Sequence, residues 1–236
     1  MDQSRGTLVG ERVLGTVAYM GGIPALIEHF TWAWTQMLLY NCEYVCGPGE
    51  RIHYDRSTIS FHSTARNILV NNMQGDWLFM TDTDHSFEPD MLGRLLRLMN
   101  IHNLDVLTGL YVYKIPPFQP TIYQYVEERK GYNAIVKWDG DPQLLNIDSS
   151  GAGALLVRRR VFARILDELK EGPFDIERGY GEDHSFYRRL QRLEIPAYCA
   201  VNVESAHINF KALTYSDDFD FNNVTVDRKY QAESIQ

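Results

Sequence analysis

The chain has 236 residues, of which 44% are hydrophobic and 23% charged, so it can bury one substantial core but is short for two. The formal net charge of -8 provides no global basic field, which argues against a protein whose main task is to grip nucleic acid. We expect a cytoplasmic protein, because the three cysteines form neither a disulfide framework nor a zinc pattern and the sequence has no signal-peptide-like start and no membrane-spanning apolar run.

Apolar strand-like segments alternate with segments of helical spacing along the chain. This alternation is typical of α/β proteins and predicts a mostly parallel sheet with helices on both faces. In chain order, the predicted elements are strand 12–19, a helix with its apolar stripe over 27–38, strand 51–54, helix 63–73 with Ser63 as candidate cap, strand 77–81, helix 91–99, strand 105–111, an apolar strand within 147–157, helix 161–169, helix 183–193 and strand 197–203.

The middle of the chain departs from this alternation. Pro116, Pro117 and Pro120 end regular structure after the strand at 105–111. The segment 121–145 is rich in tyrosine and predicts short strands and loops. Such an irregular insertion is typical of a variable binding element.

Two carboxylates follow directly after the apolar run at 77–81. Residues i and i+2 of an extended chain point to the same side, so Asp82 and Asp84 can converge just past the end of a buried strand. Carboxylates at the end of a buried strand lower the stability of the fold unless a cation pairs with them. A divalent metal that also binds a phosphate could be that cation. Ligands of open α/β sheets bind at this edge. The alternative is an Asp-x-Asp pair in a turn or helix cap, where such pairs also occur by chance.

Three further features are predicted at the same edge. Glu182 and Asp183 open a helix, where acids are also favoured by the helix dipole alone. His207 follows the last core strand and could be a ligand or a structural histidine. Gly151 and Gly153 lack side chains, which could let a ligand approach the backbone or could mark simple bulges.

The order and spacing of these motifs resemble GT-A fold glycosyltransferases, especially those of glycosyltransferase family 2. The resemblance covers roughly residues 11–210 and implies a Rossmann-like, mostly parallel sheet in a single domain, residues 1–236. It divides that domain into a nucleotide-sugar half (about 11–110), an acceptor half (about 111–210) and a C-terminal tail (211–236). The motifs that carry it are Arg66-Asn67 at a helix start, Asp82-Thr83-Asp84, Pro89-Asp90, Gly151-Ala152-Gly153, Gly181-Glu182-Asp183 and His207.

The resemblance implies a set of donor contacts in the first half of the chain. Thr16, Ala18 and Tyr19 would lie near the nucleobase and ribose of the donor. Asp55 would accept a hydrogen bond from the base. Arg66 would lie near the donor phosphates. The donor implied is a nucleoside-diphosphate sugar, with a UDP-sugar as the first choice.

The resemblance also implies a metal site. Asp84 would bind the metal directly and His207 would be a second protein ligand, with Asp82 nearer the ribose or a metal-bound water. Oxygen and imidazole ligands suit Mn²⁺ or Mg²⁺. Gly151 and Gly153 would let the donor approach the backbone.

In the implied reaction, Asp183 is the general base of an inverting transfer to an acceptor hydroxyl, and Glu182 lies close by. A retaining mechanism could share the metal motif. The acceptor could be a glycan, a protein side chain, a metabolite or a hydroxylated nucleic-acid base, the last because of arginine clusters at 158–164 and 188–192.

Two other classes of protein remain open. A nucleotidyltransferase can use a similar sheet and Asp pair, but it usually holds its triphosphate with a basic glycine-rich loop after the first strand. Here that loop, residues 20–24, contains neither lysine nor arginine. In a non-catalytic nucleotide-sugar-binding module, Asp183 and His207 would be idle, and binding would not require a metal.

Overall fold

The computed structural model describes residues 12–20, 27–58, 61–140, 142–208 and 212–213. One π-helical turn continues each of two helices, and a short 3-10 turn joins two strands of the tyrosine-rich segment. The helices are α1 (Ile27–Tyr40), α2 (His62–Asn72), α3 (Met91–Ile101), α4 (Arg159–Arg164) and α5 (Glu182–Arg192), with π turns at Asn41–Val45 and Ile165–Leu169. The strands are β1 (Arg12–Met20), β2 (Glu50–Ser57), β3 (Trp77–Asp82), β4 (His85–Phe87), β5 (Val106–Leu110), β6 (Ile122–Val126), β7 (Gly131–Ala134), β8 (Leu144–Ile147), β9 (Ser149–Ser150), β10 (Ala154–Arg158), β11 (Ala197–Ile208) and β12 (Ala212–Leu213).

A nine-stranded sheet forms the centre of the molecule, with the main order β12-β11-β5-β10-β3-β1-β2. Strands β1, β2, β3, β5 and β11 run in one direction, while β10 lies antiparallel between β3 and β5. The predicted α/β class with a mostly parallel sheet is confirmed. The tyrosine-rich segment forms a separate sheet in the order β7-β6-β9.

Successive side chains of β3 pack alternately on the two faces of this sheet. Leu78 and Met80 pack on the face covered by α2, α4 and α5. Trp77 and Phe79 pack on the face covered by α1 and α3. Both faces are therefore apolar, which explains why β3 is a continuous apolar run with polar residues only at its carboxyl end. No helix within the described residues is long and apolar enough to cross a bilayer.

Several predicted boundaries shift in the structure. The second helix begins at His62, and no side chain caps it, so the cap predicted at Ser63 is wrong. The helix predicted over 161–169 is α4 followed by a π turn. The last strand extends to Ile208, so that His207 lies within β11 rather than after it. The predicted break at 21–24 lies outside the described residues.

A close approach between two chain segments at Gly75 sets the start of β3 against β1. Gly75 has a φ of 75°, and a Cβ there would lie 2.6 Å from the Cα of Gly15. The neighbouring Asp76 N–H donates to Leu14 O at 2.8 Å. The absence of a side chain at Gly75 therefore lets β1 and β3 enter the sheet side by side.

We expect Gly75→Ala to destabilise the protein by about 2–4 kcal/mol, measured by denaturant unfolding. About 1 kcal/mol comes from the left-handed backbone and the rest from overpacking. Gly49→Ala is the matched control, because Gly49 also has a φ of 75° but a Cβ there meets nothing within 4 Å. Equal losses in the two variants would contradict a packing role for Gly75.

Candidate active site

The Asp-x-Asp pair lies at the carboxyl edge of the central sheet. Asp82 is the last residue of β3 and is in register with Met20, the last residue of β1. Asp84 follows in a tight turn, and His85 begins β4. The fold thus places both carboxylates where parallel strands end, but Asp84 lies in a turn rather than in the extended chain from which its position was predicted.

A change of strand partner brings His207 to the same place. The pairing of β11 with β5 shifts register between Ala200 and Glu204. Beyond the shift, β11 pairs antiparallel with β4, and His207 lies directly opposite His85. The two imidazole rings are 4.6 Å apart between centroids. Directly opposed residues share one face of a strand pair, so both rings face the same side, and the carboxylate of Asp84 lies near each of them.

Asp84, His85 and His207 form a cluster that could hold a metal ion. Their ligand atoms all lie within 4.8 Å of one another. His207 Nε2 is 3.7 Å from Asp84 Oδ2, and His85 Nε2 is 3.9 Å from Asp84 Oδ1. Our sequence reasoning did not name His85 as a ligand. Its position directly after Asp84 is the signal that could have identified it.

Hydrogen bonds at the far side of each ring leave Nε2 available for a metal. His207 Nδ1 lies 2.7 Å from Val112 O, and a carbonyl can only accept, so this network assigns the proton to Nδ1. His85 Nδ1 pairs with Ser205 Oγ, and its buried Nε2 has no hydrogen-bond partner among the described residues. A metal-bound histidine usually donates its other ring N–H in this way.

The protonation states also suit a metal. Burial lowers the pKa of His85 to about 4, so its ring is neutral near pH 7, which is the form that ligates. Burial alone would raise the pKa of Asp84, but His207, His85 and Lys114 hold that pKa well below its usual range. The ammonium of Lys114 contacts Asp84 Oδ2 directly. The cluster is therefore an ionised carboxylate with two imidazoles around it.

A buried arginine connects the first carboxylate to the helix that carries Asp183. Arg66, on α2, donates from Nη2 to Asp82 Oδ1 at 3.0 Å and from Nη1 to Ala152 O at 3.2 Å. Its Nε lies 3.6 Å from Glu182 Oε1. Burial alone would lower the pKa of Arg66, but Asp82 and Glu182 raise it. The guanidinium therefore orients Asp82 and Glu182, and direct contact with a phosphate stays a prediction.

Asp183 lies in the first turn of α5, beside the same site. Its Oδ1 accepts the N–H of His184 at 2.8 Å. A Cβ added at Gly151 would lie 3.6 Å from Asp183 Oδ2 and would overlap the Tyr111 hydroxyl. The ring of Tyr111 in turn packs edge-on against His85, with 4.6 Å between centroids. Tyr111, which the sequence reasoning also missed, thus lies between Gly151, near Asp183, and the His85 ring of the candidate metal cluster.

The structure gives both glycines of the Gly-Ala-Gly segment a packing role. A Cβ at Gly153 would lie 2.5 Å from His85 Nε2 and 3.3 Å from Asp82 Oδ2. The Gly153 N–H donates to the Tyr111 hydroxyl at 3.1 Å. The missing side chains therefore make room for protein groups, and a donor contact at Gly151 or Gly153 stays a prediction.

The residues predicted near the nucleobase separate into two groups. Thr16 and Ala18 are fully buried, and the Thr16 hydroxyl donates to Gln74 O at 2.9 Å. Thr16 is four residues before the end of β1, about 13 Å from the edge at ~3.3 Å per residue. The structure therefore packs Thr16 and Ala18 in the core, and a donor contact at either residue stays a prediction.

Tyr19 and Asp55 remain candidates for the base. Tyr19 packs against Trp34 and Phe30 near the end of β1, with 4.9 and 5.2 Å between ring centroids. Asp55, on β2, has a buried Oδ2 without a hydrogen-bond partner in the part of the chain that is described. A buried carboxylate oxygen needs a donor, which a base could supply.

The arginine clusters are mostly paired with acids. Arg160 contacts Asp105 at 2.5 Å, and Arg164 contacts Glu168 at 2.6 Å. The second cluster is paired in the same way: Arg188 with Glu177, and Arg189 and Arg192 with Glu171. Because these arginines are paired with acids, and Arg189 is also buried, the clusters add no support for a nucleic-acid acceptor.

Comparisons with known proteins agree with this arrangement. The family model described as glycosyl transferase family 2 matches residues 40–166, which is more than half of the chain. A search of curated protein sequences finds no match. Among solved structures, the crystal structure of A197 from STIV aligns with a TM-score of 0.50 and 17% identity, covering 85% of this chain and 90% of that one. At that identity the structural similarity supports a shared fold.

Proposed function

Because this chain belongs to glycosyltransferase family 2, we propose that it transfers a sugar from a nucleoside-diphosphate sugar, with UDP-sugars as the first candidates, to an acceptor hydroxyl in a metal-dependent, inverting reaction. Glycosyl transfer follows from the family. The metal, the donor and the stereochemistry are the parts that we add. The observation that supports the metal is the cluster of Asp84, His85 and His207 at the carboxyl edge of the sheet, whereas the donor and the stereochemistry rest on the resemblance of the motifs.

The donor atoms of this cluster fit a divalent transition metal better than an alkaline-earth ion. Mg²⁺ prefers oxygen ligands in near-ideal octahedral geometry, whereas imidazole with carboxylate suits ions such as Mn²⁺. The buried, unpartnered Nε2 of His85 is satisfied if a metal binds there. When bound, a divalent metal would neutralise charge on the departing diphosphate. We therefore favour Mn²⁺ over Mg²⁺, with Asp84, His85 and His207 as its protein ligands.

Asp183 is the proposed general base. The acceptor oxygen attacks the anomeric carbon of the donor sugar, and the bond from that carbon to the phosphate oxygen breaks with its electrons leaving on the nucleoside diphosphate. The acceptor proton moves to the Asp183 carboxylate. Asp183 Oδ1 is already held by the backbone N–H of His184, which leaves Oδ2 for the acceptor. Positioning the acceptor and removing its proton are the two contributions of this residue.

Asp82 and Glu182 support this site through Arg66. The guanidinium contacts Asp82 on the donor side and lies near Glu182, which is adjacent to the base. In the proposal, Asp82 contacts the ribose or a metal-bound water, while Glu182 fixes the start of α5. Arg66 thereby keeps the donor and acceptor sides in one geometry.

A thermal-shift panel of nucleotide sugars, with and without Mn²⁺, tests the proposal. At a ligand concentration of 100 Kd, binding stabilises a protein by about 2.7 kcal/mol, which corresponds to a rise in Tm of roughly 5–10 °C at this size. We expect one nucleoside diphosphate and its sugars to give this rise, and chelation to remove it. A rise that is independent of metal would favour a non-catalytic binding module, and a rise with nucleoside triphosphates alone would favour a nucleotidyltransferase.

A further inference from the structure

Lys114 occupies a position that the predicted motifs do not explain. It lies in the connection between β5 and β6, and its ammonium contacts Asp84 Oδ2. The same Asp84 oxygen lies 3.7 Å from His207 Nε2. Lys114 therefore contacts the same Asp84 oxygen that would bind the proposed metal next to His207.

The backbone on both sides of Lys114 is fixed. The Tyr113 N–H donates to Gln119 O at 2.9 Å, and the Phe118 N–H donates to Ile115 O at 2.9 Å. Two residues before Lys114, Val112 O accepts a hydrogen bond from His207 Nδ1 at 2.7 Å. The side chain of Lys114 is 34% exposed and has a flexible four-carbon stem. Movement of the ammonium therefore requires rotation of the stem and no rearrangement of the loop.

A metal and the ammonium compete for Asp84. Two cations on one carboxylate oxygen repel each other, and the repulsion is strong in a partly buried site because solvent screening is weak there. Metal binding to Asp84 must therefore release Lys114 from this oxygen. The released ammonium stays beside the cluster, because the loop that carries it is attached to His207.

We propose that Lys114 is a transferable counter-ion, which pairs with Asp84 in the metal-free protein and moves to the donor diphosphate when the metal takes Asp84. The inference rests on the proposed function, because it requires a diphosphate at the metal. Arg66, a second cation near the cluster within the described part of the chain, is committed to Asp82 and Ala152 O and is buried. Lys114 is placed to meet the negative charge that grows on the diphosphate as the sugar leaves. It is a contact to the leaving group and takes no proton.

The test compares wild-type protein with Lys114→Met in two binding measurements. The first is Mn²⁺ affinity without nucleotide, from the EPR signal of free Mn²⁺. We expect it to be about tenfold tighter in the variant, because the competing ammonium is gone. The second is the affinity for UDP, or the nucleoside diphosphate that the panel selects, at saturating Mn²⁺, measured by calorimetry. We expect it to be about tenfold weaker.

Two further variants separate the charge from other effects. Lys114→Arg keeps a cation and should keep nucleotide affinity close to the wild-type value. Lys170→Met removes an exposed lysine after α4 and should change neither affinity. Unchanged or weaker Mn²⁺ binding in Lys114→Met, or unchanged nucleotide binding, would overturn the Lys114 proposal. Wild-type protein that binds no nucleoside diphosphate with Mn²⁺ would instead overturn the proposed function.

Discussion

Replacing Asp84 by asparagine is expected to lower kcat/KM by roughly 10³-fold and to remove Mn²⁺ binding. A bound metal contributes several kcal/mol of charge stabilisation, and each 1.36 kcal/mol is a factor of ten in rate. Asp84 is the proposed ligand that lies between the two imidazoles, at 3.7 Å from His207 Nε2 and 3.9 Å from His85 Nε2. Asparagine keeps the shape of the side chain but loses its charge, so the proposed site would have to hold a dication without its anionic ligand.

The fold should survive this change. The cation left without Asp84 is Lys114, whose partly exposed side chain can turn to water. We therefore expect the metal-free Tm to change little, while EPR detects the loss of Mn²⁺ binding. Asp167→Asn is the matched control, because Asp167 is exposed in the π turn after α4. An Asp84→Asn variant that binds Mn²⁺ like the wild type would contradict the metal site.

The features that could be predicted from the sequence are those with a local cause. The apolar run of β3 ends in polar residues where the sheet ends, so Asp82 and Asp84 could be placed at the edge from the end of that run. The helix that begins at Glu182 could be located from its acids and its apolar stripe. Short-range periodicity determines both features.

The features that were missed depend on contacts between distant segments. His85 becomes part of a three-residue cluster because β11 shifts register and brings His207 opposite it. The antiparallel direction of β10 leaves no trace in a hydrophobic pattern, which is the same for both directions. Lys114 reaches Asp84 through a proline-containing connection whose path no periodicity predicts.

Burial also bears on the predicted ligand contacts of several residues. Thr16 is a polar residue near the end of a strand, which fits a ligand contact, yet its hydroxyl bonds to Gln74 in the core. Gly151 and Gly153 suggested an open approach for a ligand, but Tyr111 and His85 fill that space. A sequence shows which side chain is present or missing, whereas packing decides what occupies the space.

Asp183→Asn is expected to lower kcat by about 10²–10⁴-fold while leaving the donor KM and Mn²⁺ affinity near their wild-type values. This is the usual contribution of a positioned general base. The asparagine oxygen can still accept the His184 N–H, so the start of α5 should keep its conformation. Removal of a group that acts only in the transition state reduces kcat and leaves ground-state binding unchanged. Single-turnover kinetics with a saturating donor would measure the chemical step directly.

Glu182→Gln is the control that separates the two neighbouring acids. Glu182 lies 3.6 Å from Arg66 Nε and 3.6 Å from His62 Nδ1, so its expected role is to position the helix. We expect this variant to lose stability more than chemical rate, because a buried guanidinium loses a charged neighbour. If Asp183→Asn turned over normally while Glu182→Gln was folded but inactive, Glu182 would be the general base and Asp183 would not. The anomeric configuration of the product, measured by NMR, would then test the mechanism. Inverted configuration is expected if either acid acts as a base on the face opposite the leaving diphosphate.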